Sequence, residues 1–137
     1  MCKVIYVDDD EEDMFSFDKA INEIDRYIDV YYAVCGDDLF YHLNIWLPDY
    51  LFLDLMMPGK GGLDCLKKIR NISNSIPVII FTLSGDQQLI NDCYDGRANY
   101  FVRKPRNYQK LLQLLRNIFL INWKMDGYPE KERFVIS

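Results

Sequence analysis

The chain has 137 residues, half of them hydrophobic and 27% charged, with a formal net charge of −5. That is about one domain with room for a sizeable core, globular in composition rather than disordered. The negative balance argues against a nucleic-acid backbone or an anionic membrane as direct partner, and the apolar stretches are too short to span a bilayer.

The first residues, with Lys3 leading straight into strand-like sequence, do not read as a signal peptide. Residues 3–8 predict a first strand. Residues 11–24 predict a helix, because Met14, Phe15, Phe17, Ile21 and Ile24 recur at helical spacing. Residues 28–35, rich in β-branched and aromatic side chains, predict a second strand that Gly36 breaks. Asp37 and Asp38 open a short helix through Trp46, which Pro48 ends. The continuous apolar runs 50–53 and 78–81 predict third and fourth strands covered by helices on both faces. Between them lie a loop at 57–62 and a helix at 63–72 carrying Leu63, Leu66 and Ile69. A weaker helix at 87–94, a fifth strand at 99–103 and a leucine-rich helix at 108–121 complete the pattern. Five strand-then-helix units argue for a doubly wound parallel sheet.

Polar residues stand at the ends of these strands: Asp8 and Asp9, Asp54, Thr82 and Lys104. In a parallel α/β sheet the strand C-terminal ends converge on one crevice. Clustered carboxylates there repel one another unless a cation sits among them, and hard oxygen ligands favour Mg²⁺ or a similar ion. Asp10, Glu11, Glu12 and Asp13 have a simpler explanation, since acids in the first turn of a helix complement its dipole. Cys2, Cys35, Cys65 and Cys93 form no Cys-x-x-Cys pair and read as reduced thiols, which suggests the cytoplasm.

The stretches Val7-Asp8-Asp9, Asp54-Leu55-Met56-Met57-Pro58 with Gly62, Phe81-Thr82, and Phe101-Val102-Arg103-Lys104-Pro105 resemble, in order and spacing, the receiver domain of response regulators, the CheY-like superfamily. The resemblance runs from about residue 3 to about residue 121. It implies an α/β, flavodoxin-like (βα)5 sandwich with a parallel five-stranded sheet in the order 2-1-3-4-5. It also implies a phosphoprotein of two-component or phosphorelay signalling. Asp54 would be the phosphoacceptor, with Mg²⁺ or Mn²⁺ held by Asp9, Asp54 and the Met56 backbone carbonyl, and Asp8 acting behind them or through water. Thr82 and Lys104 would contact the phosphoryl group, and Thr82 with Phe101 would form the switch. Such a domain is a stoichiometric phosphoacceptor rather than an enzyme.

The same resemblance implies a sensor histidine kinase or histidine phosphotransfer protein as donor. It implies a downstream protein target reached through the fourth helix, fifth strand and last helix, where Tyr94, Arg97, Tyr100, Arg103 and Tyr108 are candidate lining residues. Homodimerisation through the last two strand–helix units is also open. Residues 1–123 would form the receiver and 124–137 an extension without an output domain. That extension reads either as frayed or as a turn at Asp126-Gly127 followed by docking of Phe134-Val135-Ile136 on the body or on a partner. Leu83 departs from the small residue usual after the threonine, and a large side chain beside the acceptor would narrow access for donor or water. Met56 and Ser84 offer neither carboxylate nor amide to orient an attacking water, so slow loss of the phosphoryl group is expected.

Other readings fit less well. A haloacid-dehalogenase-type phosphatase needs Asp-x-Asp followed by Thr, whereas Asp8-Asp9-Asp10 runs into Glu11. A histidine phosphotransfer bundle is contradicted by the strands and by a single histidine, His42. Gly59-Lys60-Gly61 is not a phosphate-binding loop, because no Ser or Thr follows the lysine. A receiver-shaped module that signals without phosphorylation stays open as the alternative.

Overall fold

The computed structural model describes residues 2–57, 61–83, 85–121 and 128–137. Strands and helices alternate as β1 (Cys2–Val7), α1 (Glu11–Ile24), β2 (Ile28–Ala33), α2 (Gly36–Leu43), β3 (Tyr50–Leu53), α3 (Gly62–Ile72), β4 (Val78–Thr82), α4 (Gln87–Asp95), β5 (Tyr100–Arg103) and α5 (Tyr108–Leu120). A 3-10 turn (Lys131–Arg133) and a short β6 (Val135–Ile136) follow. The strands form one parallel sheet in the order β2-β1-β3-β4-β5-β6. This is the flavodoxin-like arrangement expected, with one strand added at its margin.

Alternation along each strand builds two cores, because successive side chains leave opposite faces. Ile5, Val7, Leu51, Leu53, Val78, Ile80 and Phe101 meet Leu39, Leu66, Ile69 and Ile90 of the helical layer α2, α3 and α4. Val4, Tyr6, Phe52, Ile79, Phe81, Tyr100 and Val102 meet Phe17, Ile21, Leu111 and Leu115 of α1 and α5. Tyr100 was a candidate for the surface, but it is buried under α5. In a strand covered on both faces every residue is apolar, so composition does not reveal which face a tyrosine takes. Phe15 also departs from the predicted stripe. It is 73% exposed, while Phe17 and Ile21 carry the packing of α1.

The predicted five-stranded sheet is corrected to six at the C-terminus. Residues 128–137 are not frayed. Phe101 and Val102 pair with Val135 and Ile136, and the Phe101 amide donates to the Phe134 carbonyl at 2.9 Å. Phe134 is fully buried beside Tyr94 and Phe101, with ring centroids at 5.2 and 6.4 Å. Burying a phenylalanine contributes roughly 1.5–3 kcal/mol, enough to help offset the cost of ordering so short a strand. Pairing also satisfies β5 backbone groups that an edge would leave open. The turn expected at Asp126-Gly127 lies outside the described residues.

Candidate functional site

The backbone continues each ladder beyond its strand and so gathers the polar residues. Asp8 N–H donates to the Ala33 carbonyl at 3.0 Å, Asp54 N–H to Val7 at 2.9 Å, and Lys104 N–H to Thr82 at 2.7 Å. Gly62 lets α3 begin against this junction. A Cβ there would stand 2.6 Å from the Leu55 Cα, so any side chain would push apart the loop that follows Asp54.

Lys104 sits at the centre. Its ammonium donates to Asp8 Oδ2 at 2.6 Å, Asp13 Oδ2 at 2.9 Å and Asp54 Oδ2 at 3.0 Å, so all three N–H groups meet carboxylates. Asp54 Oδ1 accepts the Thr82 hydroxyl at 2.9 Å and the Met56 amide at 3.0 Å. Asp8 accepts the Tyr6 hydroxyl at 2.9 Å and the Asp10 amide at 3.1 Å. Asp8, Asp54, Thr82 and Lys104 are buried, and Asp9 is exposed at the mouth.

The electrostatics follow from this arrangement. Burial alone would raise the Asp8 carboxyl, but the Lys104 ammonium, the Asp10 amide and the Tyr6 hydroxyl hold it below its ordinary range. Asp54 goes the other way. Its burial, with the like charge of Asp8, outweighs the Met56 amide and Lys104 and lifts its pKa. Burial disfavours the Lys104 ammonium, yet its three carboxylates push its pKa up overall. One cation therefore serves more anions than it can neutralise.

The residues present fit a divalent ion. Carboxylate oxygens of Asp8, Asp9 and Asp54 lie within 4.8 Å of one another, a hard oxygen set with negative charge to spare. Asp9, Asp54 and Asp8, singled out from the sequence, are thus brought together, and Thr82 and Lys104 join them. Phe101 does not line the pocket. It is fully buried one layer away, between Gly85 and Phe134. Met56 is exposed beside Asp54, and Ser84 lies outside the described residues.

Two contributors were missed. Tyr6 was legible in principle, because Tyr6 and Asp8 are two apart on one strand and share a face. Asp13 was assigned to the helix dipole alone. In fact Asp10 performs the capping, accepting Asp13 N–H at 3.1 Å, and this first turn directs the Asp13 carboxylate to Lys104.

No helix among the described residues is long and apolar enough to cross a membrane. A family model described as the response regulator receiver domain matches residues 4–116. Response regulator GacA of Pseudomonas aeruginosa is 25% identical over 119 residues, covering 87% of this chain and 56% of that protein. The chain spans about half the length of the curated relatives it matches. The phosphorylated cyanobacterial phytochrome response regulator RcpA superposes with a TM-score of 0.78 at 25% identity, over 85% of this chain and 90% of that one. The Mn²⁺-bound form of response regulator Rcp1 shares the fold, with a TM-score of 0.77 at 21% identity over 86% of this chain and 91% of that one. With strand order, polar cluster and family match in agreement, the chain belongs to the response regulator receiver domain family of two-component systems.

Proposed function

We propose that Asp54 accepts a phosphoryl group from a phosphohistidine, carried by a sensor histidine kinase or a histidine phosphotransfer protein. The observation that carries this reading is the convergence on Asp54 of the Thr82 hydroxyl at 2.9 Å and the Lys104 ammonium at 3.0 Å, beside the Asp8 and Asp9 carboxylates. A carboxylate oxygen attacks phosphorus, the P–N bond breaks, and its electron pair returns to the imidazole nitrogen. The product is an acyl phosphate. RcpA, the relative of similar fold, is known in a phosphorylated form.

Asp9, Asp54, the Met56 carbonyl and Asp8 would hold Mg²⁺ or Mn²⁺, which supplies charge neutralisation for the transferring group. The chain's own residues do the rest. Lys104 places a point charge where the phosphoryl oxygens arrive, and Thr82 offers them a hydroxyl. Thr82 already donates to Asp54 and Phe101 is already buried, so phosphorylation would hold an arrangement the chain adopts beforehand rather than create it. The readout would be altered affinity for a downstream protein at the face of α4, β5 and α5, in the cytoplasm. The chain would act there as receiver through residue 123 and as an extension from 124. Tyr94 of that face is already engaged by the extension, its hydroxyl donating to the Pro129 carbonyl at 3.3 Å.

Leu83 is 60% exposed, so most of its surface lies in solvent rather than over Asp54. Neither it nor Met56 can orient a hydrolytic water, and the acyl phosphate should outlast seconds in purified protein. The decisive experiment is incubation with a small acyl phosphate and Mg²⁺, followed by mass spectrometric mapping of wild type and Asp54→Asn. A phosphoryl adduct on Asp54, dependent on Mg²⁺ and lost in the variant, is expected. Labelling of another residue would overturn the assignment.

A further inference from the structure

The segment 128–137 is fastened at four places. The Tyr128 hydroxyl donates to the Asn74 carbonyl at 2.6 Å, and the Arg70 and Arg97 guanidinium groups lie 5.6 and 5.1 Å from the centre of its ring. Pro129 is buried and receives the Tyr94 hydroxyl. Phe134 fills the core beside Tyr94 and Phe101. Finally, β6 pairs with β5 at Phe101 and Val102.

Phe101 is where this segment meets the site. Its amide donates to the Phe134 carbonyl and its ring lies between Phe134 and Gly85. The contact with Gly85 is close: a Cβ on that glycine would fall 2.5 Å from Phe101 Cζ. Arg103 ties the two together, donating to the Gly85 carbonyl at 2.9 Å while its guanidinium stands 5.9 Å from the Phe101 ring centre. Gly85 stands three residues beyond Thr82, whose hydroxyl is bonded to Asp54. Contacts therefore run from Asp54 to Thr82, across the β4–β5 pairing of Thr82 with Arg103, and from Arg103 to Gly85 and Phe101 and on to Phe134.

We infer that residues 128–137 are a strap whose docking on β5 and the phosphorylation of Asp54 reinforce each other, because both require Phe101 to stay buried. This rests on the reading of Asp54 as phosphoacceptor. With Phe134 seated, an outward swing of Phe101 is blocked on that side. With Thr82 held at Asp54, the loop at Gly85 closes the other side. Phe101 has no hydroxyl, so its ring is held by packing and by the Arg103 guanidinium, and removing either cover lowers the cost of leaving. Linkage makes the effect mutual: what tightens the strap must tighten the phosphorylated state by the same factor.

The test uses the full chain, with beryllofluoride and Mg²⁺ as the probe. Exchange of the Phe101 amide, followed by NMR, reads strap docking directly, since its bond partner is Phe134. Adding the probe should slow that exchange by at least about fivefold, the lower end of ordinary coupling. Phe134→Ala, and Ile136→Asp as a milder variant should the first fail to fold, should weaken beryllofluoride binding by a comparable factor. A probe that binds without slowing Phe101 exchange overturns the coupling while leaving the phosphoacceptor reading intact. Variants with an unprotected Phe101 amide but wild-type affinity for the probe do the same. A full chain that fails to bind the probe removes both.

Discussion

The two ends of the sheet each gather around a cation, and they do so in opposite ways. At the C-terminal ends, Lys104 is held by the carboxylates of Asp8, Asp13 and Asp54. At the N-terminal ends of β4 and β5, Arg70 is held by neutral oxygens. Its guanidinium donates to the carbonyls of Arg97 at 2.9 Å, Ser73 at 3.2 Å and Ile76 at 2.8 Å, and to Asn99 Oδ1 at 3.0 Å. The backbone bends to serve it, with Arg97 at a φ of 70° in the turn between α4 and β5. A planar fork of donors suits a ring of fixed carbonyls, so Arg70 works as a structural tie. The Lys104 end carries surplus negative charge that its own cation does not satisfy. A site left unbalanced in this way has affinity to give to a ligand.

Lys104→Met should be the harshest break. It leaves three carboxylates facing one another, and removing one partner of a buried ion pair commonly costs about 3–5 kcal/mol. Urea denaturation at neutral pH without divalent ions measures it. Next is the response to Mg²⁺ itself. A ligand bound only by the folded state at a hundredfold excess over its Kd stabilises by about 2.7 kcal/mol. Wild type should gain on that scale in thermal melts, Asp9→Asn should gain little, and a change at Arg70 should not alter the gain. Arg70→Met should cost about 1.5–3 kcal/mol, the range for hydrogen bonds to a charged group. Because Arg70 touches the strap only at the Tyr128 ring, beryllofluoride affinity should fall less than in Phe134→Ala; a larger fall would blur the division between structural and functional ends.

The smallest effect concerns pH and separates two carboxylates within one site. The folded pKa of Asp8 is lowered, so its contribution to stability is present above the unfolded value and fades as pH falls through the folded one. The folded pKa of Asp54 is raised, so its ionisation opposes folding, and that opposition vanishes in acid. Asp54→Asn should therefore melt higher than wild type at neutral pH. The two curves should converge as pH falls below the ordinary carboxylate range. Curves that stay parallel would show that Asp54 carries no such burden.

Much of this was legible in the chain because strands in a parallel sheet end where their apolar run ends. Asp8, Asp54, Thr82 and Lys104 each mark such a boundary, so their convergence follows from topology. Tyr6 needed one further step, the two-residue period. Asp13 was hidden by a sufficient local explanation, since an acid in a first helical turn needs no distant partner. The strap was harder still. Val135 and Ile136 are too few to show a period, and their partners Phe101 and Val102 are far off in sequence. What identifies them is Phe134, an aromatic residue in a short polar segment that finds its place only once the body has folded.

Covering β5 changes how copies of the molecule can join. A sheet with two long open margins can grow by strand addition at both, and such growth has no natural end. Here β6 lies beside β5 at Phe101 and Val102, while β2 keeps six residues on the other side. A strand added next to β5 at those residues would first have to displace Val135 and Ile136 and unseat Phe134, whereas one added next to β2 displaces no strand.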